Sequence, residues 1–193
     1  MVEEANVWLA KMNLLDKAGY GLWVEGEPDS ILGVDENVFL FRNQQALFDF
    51  VLSDAPCNVS GFQDYKLFRI ASVKWLNTQA LEVFEYNFNR VSLLLSNSKP
   101  NRWRQEVRSD ILTSLNMIWD LANTVKDAWS IEQMHGEAEG WETPLLGGLM
   151  DTLTFTSDDE LYLFEKFDME TISRIYQEIL SRLANRVLIM PLS

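Results

Sequence analysis

Seven apolar positions, Val107, Ile111, Leu115, Ile118, Ala122, Val125 and Trp129, follow one another at steps of four, four, three, four, three and four residues. Only an α-helix returns such steps to one side of a chain, and a helix with one apolar stripe is stable in water only when that stripe is covered. The spacing predicts a long helix over 102–134 packed against other elements. A second stripe precedes it: Val73, Leu76, Ala80, Val83, Asn87, Val91 and Leu94, widened by Phe84 and Phe88, predict a helix over 73–96. Residues 64–71 alternate poorly and are read as the start of that helix rather than as a strand. Only the short break around Lys99 and Pro100 separates the two stripes, so they are expected to pack as a long antiparallel helix hairpin.

The N-terminal part reads differently. Val7, Trp8, Leu14, Leu15 and Ala18 stand at helical spacings and Gly19 suits a helix end, which predicts a helix over 4–18. Three short apolar runs follow at 22–24, 31–34 and 38–41, separated by turn-forming residues at 26–29 and 35–37, a pattern expected of a small antiparallel meander. Asn43 is placed to cap a helix over 44–53, and Pro56, Asn58, Ser60 and Gly61 mark a loop. Four glycines and Pro144 predict a loop over 136–149. Ser157 with Glu160 has the spacing of a reciprocal capping pair and opens a short helix through 166. Asp168 opens another over 169–187, and Pro191 closes the chain. The expectation is an α+β fold: a small N-terminal antiparallel β-meander packed on a mostly helical body, with 1–193 as a single globular domain.

Composition narrows the function classes. The single cysteine, Cys57, excludes an internal disulfide and fits a reduced, cytoplasmic setting. The first residues lack the basic and apolar regions of a secretory signal, and no run approaches the roughly 18 to 20 apolar residues of a membrane helix, so no membrane is expected. There is no Gly-x-Ser-x-Gly elbow, no phosphate loop and no Gly-x-Gly-x-x-Gly turn, so hydrolase and nucleotide-binding classes lose their usual support. Glu132 and His135 have the spacing of a carboxylate-histidine pair in di-iron bundles. His135 is the only histidine, however, so neither the two-histidine set nor a multi-histidine zinc site can be assembled within one chain. No cofactor is called for.

Charge supplies the positive clue. Residues 1–60 carry ten acids and three bases, 61–135 eight and nine, and 136–193 eleven and four; −7, +1 and −7 sum to the net −13. Ten acids and one lysine lie within 136–170, interleaved with Trp141, Phe155, Tyr162, Phe164 and Phe167, which makes that segment acidic and yet built to fold. Such a surface attracts a basic protein partner and repels nucleic acid. Trp141, in the glycine-rich loop, is a candidate partner anchor, with Glu137, Glu139, Glu142, Asp158 and Asp159 as partner-binding acids. These acids can also serve as oxygen ligands or as the paired carboxylates of a small enzyme, although no EF-hand spacing is present.

The only basic concentration, Arg102, Arg104 and Arg108 beside Trp103, has the composition of a spot for an anionic group or partner. Intramolecular pairing with the acidic segment is the leading reading and the anionic-group spot the second; nucleic acid comes last, because these cations open a helix in a chain of net charge −13. Trp8, Trp119 and Trp129 fall on or beside helical stripes and are expected to fill the core. Together these features suggest a non-catalytic cytosolic binding protein, such as an inhibitor, immunity-type antidote or adaptor. A small carboxylate-dependent enzyme and an aromatic-pocket ligand sensor are the alternatives.

Overall fold

The structure, a computed structural model, describes residues 7–24, 29–53, 83–97, 99–134 and 145–191. It is α+β, with an N-terminal sheet packed on a mostly helical body. Strands β1 (Val7–Leu14), β2 (Lys17–Val24), β3 (Ser30–Ile31), β4 (Gly33–Val34) and β5 (Asn37–Phe41) form antiparallel pairs and lead into helix α1 (Gln44–Leu52). The expected meander therefore exists, and its turn lies where Asp35 and Glu36 take positive φ. It is enlarged by two parallel additions: β6 (Val83–Asn87) pairs with β1, and β7 (Val187–Met190) pairs with β5. The asparagine cap also holds, since Asn43 Oδ1 accepts from the Ala46 amide at 2.8 Å.

The sheet is buried on both faces. Ala10, Met12, Leu14, Ile31, Val38, Leu40 and Tyr86 face the helical body. Leu9, Leu22, Val24, Phe39 and Phe41 face α1 through Ala46, Leu47 and Val51. Two-sided burial explains the main departure from expectation. Of the predicted 4–18 helix, the described residues 7–18 are instead β1, a tight turn and the start of β2; with apolar residues at both parities, the period of two is lost and helical spacings arise by accident. Gly19 does not end a helix: it lies where β5 passes closely, so that a Cβ there would stand 2.7 Å from the Phe41 carbonyl oxygen.

The helical body is shorter-jointed than the stripes suggest. Residues 83–87 are strand, so the predicted 73–96 helix is reduced among the described residues to α2 (Phe88–Asn97). A 3-10 turn (Pro100–Arg102) leads into α3 (Gln105–Thr124), which ends where Lys126 takes φ 53°, and α4 (Ala128–Met134) follows. The ion pair of Arg90 with Asp110, at 2.9 Å, joins α2 to α3 as an antiparallel hairpin requires. Arg182 closes the α3–α4 joint from outside, donating to both carboxylate oxygens of Asp127 at 2.8 and 2.6 Å while lying 5.0 Å over the Trp129 ring. The Arg182 guanidinium holds the Asp127 carboxyl below its ordinary range.

Residues 145–149, predicted as loop, begin helix α5 (Leu145–Phe155). Leu146, Leu149 and Leu153 bury one face of it, which outweighs the cost of about 1 kcal/mol that each of Gly147 and Gly148 brings to a helix interior. The Ser157–Glu160 pair is present but opens a 3-10 stretch (Asp158–Lys166) rather than an α-helix. Helix α6 (Met169–Ala184) is capped as expected, with Asp168 accepting from the Thr171 amide at 3.2 Å; it stops before Val187, which belongs to β7. Helix α6 is tied to α2 by Tyr176 O–H donating to the Phe88 carbonyl at 3.3 Å and by the Ser96–Ser173 hydroxyl pair at 2.6 Å. Residues 64–71, with the loop around Pro56, lie outside the described residues.

Candidate functional site

The acidic stretch from α5 to the start of α6 is a folded surface. Asp151, Asp158, Asp159, Glu160, Glu165, Asp168 and Glu170 stand against Lys166 alone, a net of −6 over 145–170. Its inner side is core: Leu146, Leu149 and Phe164 are fully buried, and Thr152 donates to the Gly148 carbonyl at 2.8 Å. The Glu160 carboxylate accepts from the Ser157 hydroxyl at 2.8 Å and from the Ser157 amide at 3.2 Å; both bonds favour the charged form and hold this carboxyl low. Asp168 is held low in the same way by the Thr171 hydroxyl and amide. Its outer side carries two aromatics, Phe155 at 82% exposure and Tyr162 at 63%.

The basic turn packs against this stretch, and its indole points inward. Trp103 is 3% exposed and meets Phe164 with ring centroids 5.8 Å apart. Asn101 donates to Glu165 at 3.0 Å, and Arg108, itself buried, donates from Nη1 to the Thr156 carbonyl at 2.9 Å. The expectation that Trp103 and Arg108 form an open anion-binding spot is corrected accordingly: both side chains are spent inside, because Phe164 supplies the partner that the local sequence does not show. Arg102 and Arg104 remain exposed at the rim. The turn meets the acidic segment through Trp103 on Phe164 and Asn101 on Glu165.

Of the expected partner-binding residues, Trp141, Glu137, Glu139 and Glu142 lie outside the described residues, as do Cys57 and His135. Asp158 and Asp159 open the 3-10 stretch. Among the described residues no three His, Cys, Asp or Glu side chains are gathered as metal ligands would be, and no helix is long and apolar enough to cross a membrane. Trp119 and Trp129 pack against the core as expected, and Trp8 meets Trp23 with ring centroids 4.8 Å apart and the planes tilted by 36°.

One group escaped the sequence reading. Asp120 lies on the buried, sheet-facing side of α3, where burial, reinforced by the Asp29 charge, pushes its carboxyl up to about 7. Burial and the nearby Asp120 push the Tyr86 phenol up to about 12. The helix is fixed here by Thr124, whose hydroxyl donates to the Asp120 carbonyl at 2.8 Å and accepts from the Ile31 amide at 3.1 Å. The available signal was an aspartate between Met117 and Leu121, two apolar positions of the same helix face.

No protein-family model matches the chain. No curated protein matches it either. It is similar to one solved structure, the crystal structure of the SatS C-terminal domain in complex with bromine. The likeness has a TM-score of 0.56 at 13% sequence identity and covers 95% of this chain and 94% of that one. At that identity the likeness establishes the shared fold.

Proposed function

We propose that the protein is a non-catalytic, cytoplasmic binding protein that presents its acidic 145–170 surface to a basic protein partner, with Phe155 and Tyr162 as apolar anchors. The observation that carries this reading is the exposure of Phe155, on a helix whose opposite face is firmly packed. Fully burying such a side chain is worth about 1.5–3 kcal/mol, a gain left unrealised in the free chain and available to a complex. Aromatic anchors inside a charged rim are a common anatomy of protein interfaces. Net −6 over one continuous stretch steers cationic partners and rejects anionic ones.

The test is capture from source lysate on the immobilised chain, followed by reconstitution with the purified retained protein. The expected outcome is a stoichiometric basic partner whose Kd rises at least tenfold, about 1.4 kcal/mol, in the Phe155→Ala/Tyr162→Ala double variant. Retention of nothing at low salt, or of a protein bound equally by that variant, overturns the reading.

A further inference from the structure

The sheet has a split, and a short strap fills it. Strands β2 and β5 pair directly at Tyr20 and Phe41; further along β2, residues 30–34 lie between them. Here β3 pairs with β2 through Ile31 on Trp23 and Ser30 on Val24, and β4 pairs with β5 through Gly33 on Val38 and Val34 on Asn37. Ser30, Ile31 and Leu32 are fully buried. The strap ends in a two-residue turn, Asp35 and Glu36, whose φ values of 47° and 63° are left-handed and strain a residue that carries a Cβ. Its tie to the helical body is the Ile31 amide, which donates to Thr124 Oγ1 at 3.1 Å, one helical turn beyond Asp120 on α3.

That tie stands beside a carboxyl that its surroundings do not hold as an anion. Asp120 is 9% exposed, and among the described residues no group donates a hydrogen bond to its carboxylate or pairs with it as a cation. A charge buried without donors is costly, so the neutral form suits this position. The elements packed on α3 bring no relief. From β6 it is faced by the Tyr86 phenol, while Glu85 on the same strand is exposed and pairs with Lys11; from the approach to β3 it feels the negative charge of Asp29. Arg90 on α2, Glu132 on α4 and Asp151 on α5 are exposed, and β5 carries no charge. Protonated, Asp120 is a neutral neighbour of the strap; ionised, it sets two negative charges across the contact, and water reaches them fully only if the contact opens. We propose that residues 29–34 form a proton-controlled strap: the proton on Asp120 keeps it seated on α3, and loss of that proton lets it lift out of the split by local opening.

The seated carboxyl ionises at about 7 and the opened one near its ordinary 3.8, so opening releases a proton between those values. Rising pH therefore favours opening across that window, and the effect levels off above about 7. The test is amide hydrogen exchange of the full chain, followed by NMR at pH 5, 6 and 7 with the intrinsic exchange rates divided out. Protection of the Ile31 amide is expected to fall about tenfold per pH unit. Its opening is also expected to depend on guanidinium less steeply than that of the Ile179 amide in α6, because lifting a strap exposes less surface than global unfolding. Asp120→Asn, neutral at every pH, is expected to make Ile31 protection independent of pH. Constant protection of Ile31 in the parent chain, a pH slope that persists in Asp120→Asn, or exchange of Ile31 with the same protection and guanidinium dependence as Ile179 overturns the proposal.

Discussion

Two aromatic side chains at one corner of the molecule have opposite fates. Trp103 follows the 3-10 turn that packs on the acidic stretch and is almost wholly buried against Phe164, whereas Phe155, at the end of the helix leading into that stretch, stands in water. The tryptophan sits among arginines and has the local composition of a ligand platform; the phenylalanine sits in an apolar helix and has that of core. Structure reverses both. What decides is the element that arrives opposite: the 158–166 stretch brings Phe164 to Trp103, and no described element covers Phe155. A role in binding is thus a property of what remains uncovered after folding.

The most severe way to break this contrast is to remove Trp103. Truncating a buried indole forfeits its transfer energy and leaves a cavity, so Trp103→Ala is expected to lower unfolding free energy by about 3–5 kcal/mol. Denaturant titration reads this directly. A loss below about 1 kcal/mol, the ordinary cost of an arbitrary substitution, would place Trp103 outside the core. The loosened corner would then deserve reassessment as the open spot that its neighbouring arginines suggest.

Charge divides along the same line between interior and surface. Asp168, exposed, and Glu160, half-buried, accept hydrogen bonds and are held low, so their stabilisation is present at neutral pH and is lost only as pH falls through their folded-state values. Asp120 is buried and raised to about 7 from an ordinary value of 3.8, which reverses the sign. Between those two values the unfolded chain is ionised there and the folded chain is protonated. Stability is therefore expected to fall with rising pH by about 1.4 kcal/mol per unit from this group, levelling above about 7. Asp120→Asn, close in shape to the protonated acid, removes that slope. Its stability relative to the parent chain should rise from pH 5 to pH 7 in guanidinium titrations, a window in which the surface acids stay ionised and cancel. Parallel curves for the two proteins would show that Asp120 is solvated and that the interior does not set its state.

These contrasts also mark how far the sequence could be read. Local chemistry was legible wherever a side chain acts on its own neighbours: Asn43 on Ala46, Ser157 with Glu160, and Asp168 on Thr171 all occur where their spacing placed them. Periodicity was legible where an element buries one face, as α3 and α6 do. It failed for β1, β6 and β7, which lie in a sheet covered on both sides or enter it through parallel pairing with distant strands. Seen from sequence, a strand buried on both sides and a helix share the same apolar spacings. The candidate site divides likewise. The acidic stretch and its aromatics were visible in composition, but which rings face water depends on Phe164 meeting Trp103, a pairing no local pattern encodes.

The smallest expected effect bears most directly on the contrast. Phe155→Ala alone should leave unfolding free energy within about 0.5 kcal/mol of the parent chain, because a ring in water has little packing to lose. The sign is expected to be slightly favourable, since alanine is the better helix former by a few tenths of a kcal/mol at a helix-interior position and somewhat less at an end. Thermal and denaturant unfolding of Phe155→Ala beside Trp103→Ala therefore form one experiment with two opposed expectations. If Phe155→Ala instead costs more than about 1 kcal/mol, the ring is packed in solution. Phe155 and Trp103 would then be alike, and the acidic surface would keep its charge but lose the apolar anchor on which its proposed role depends.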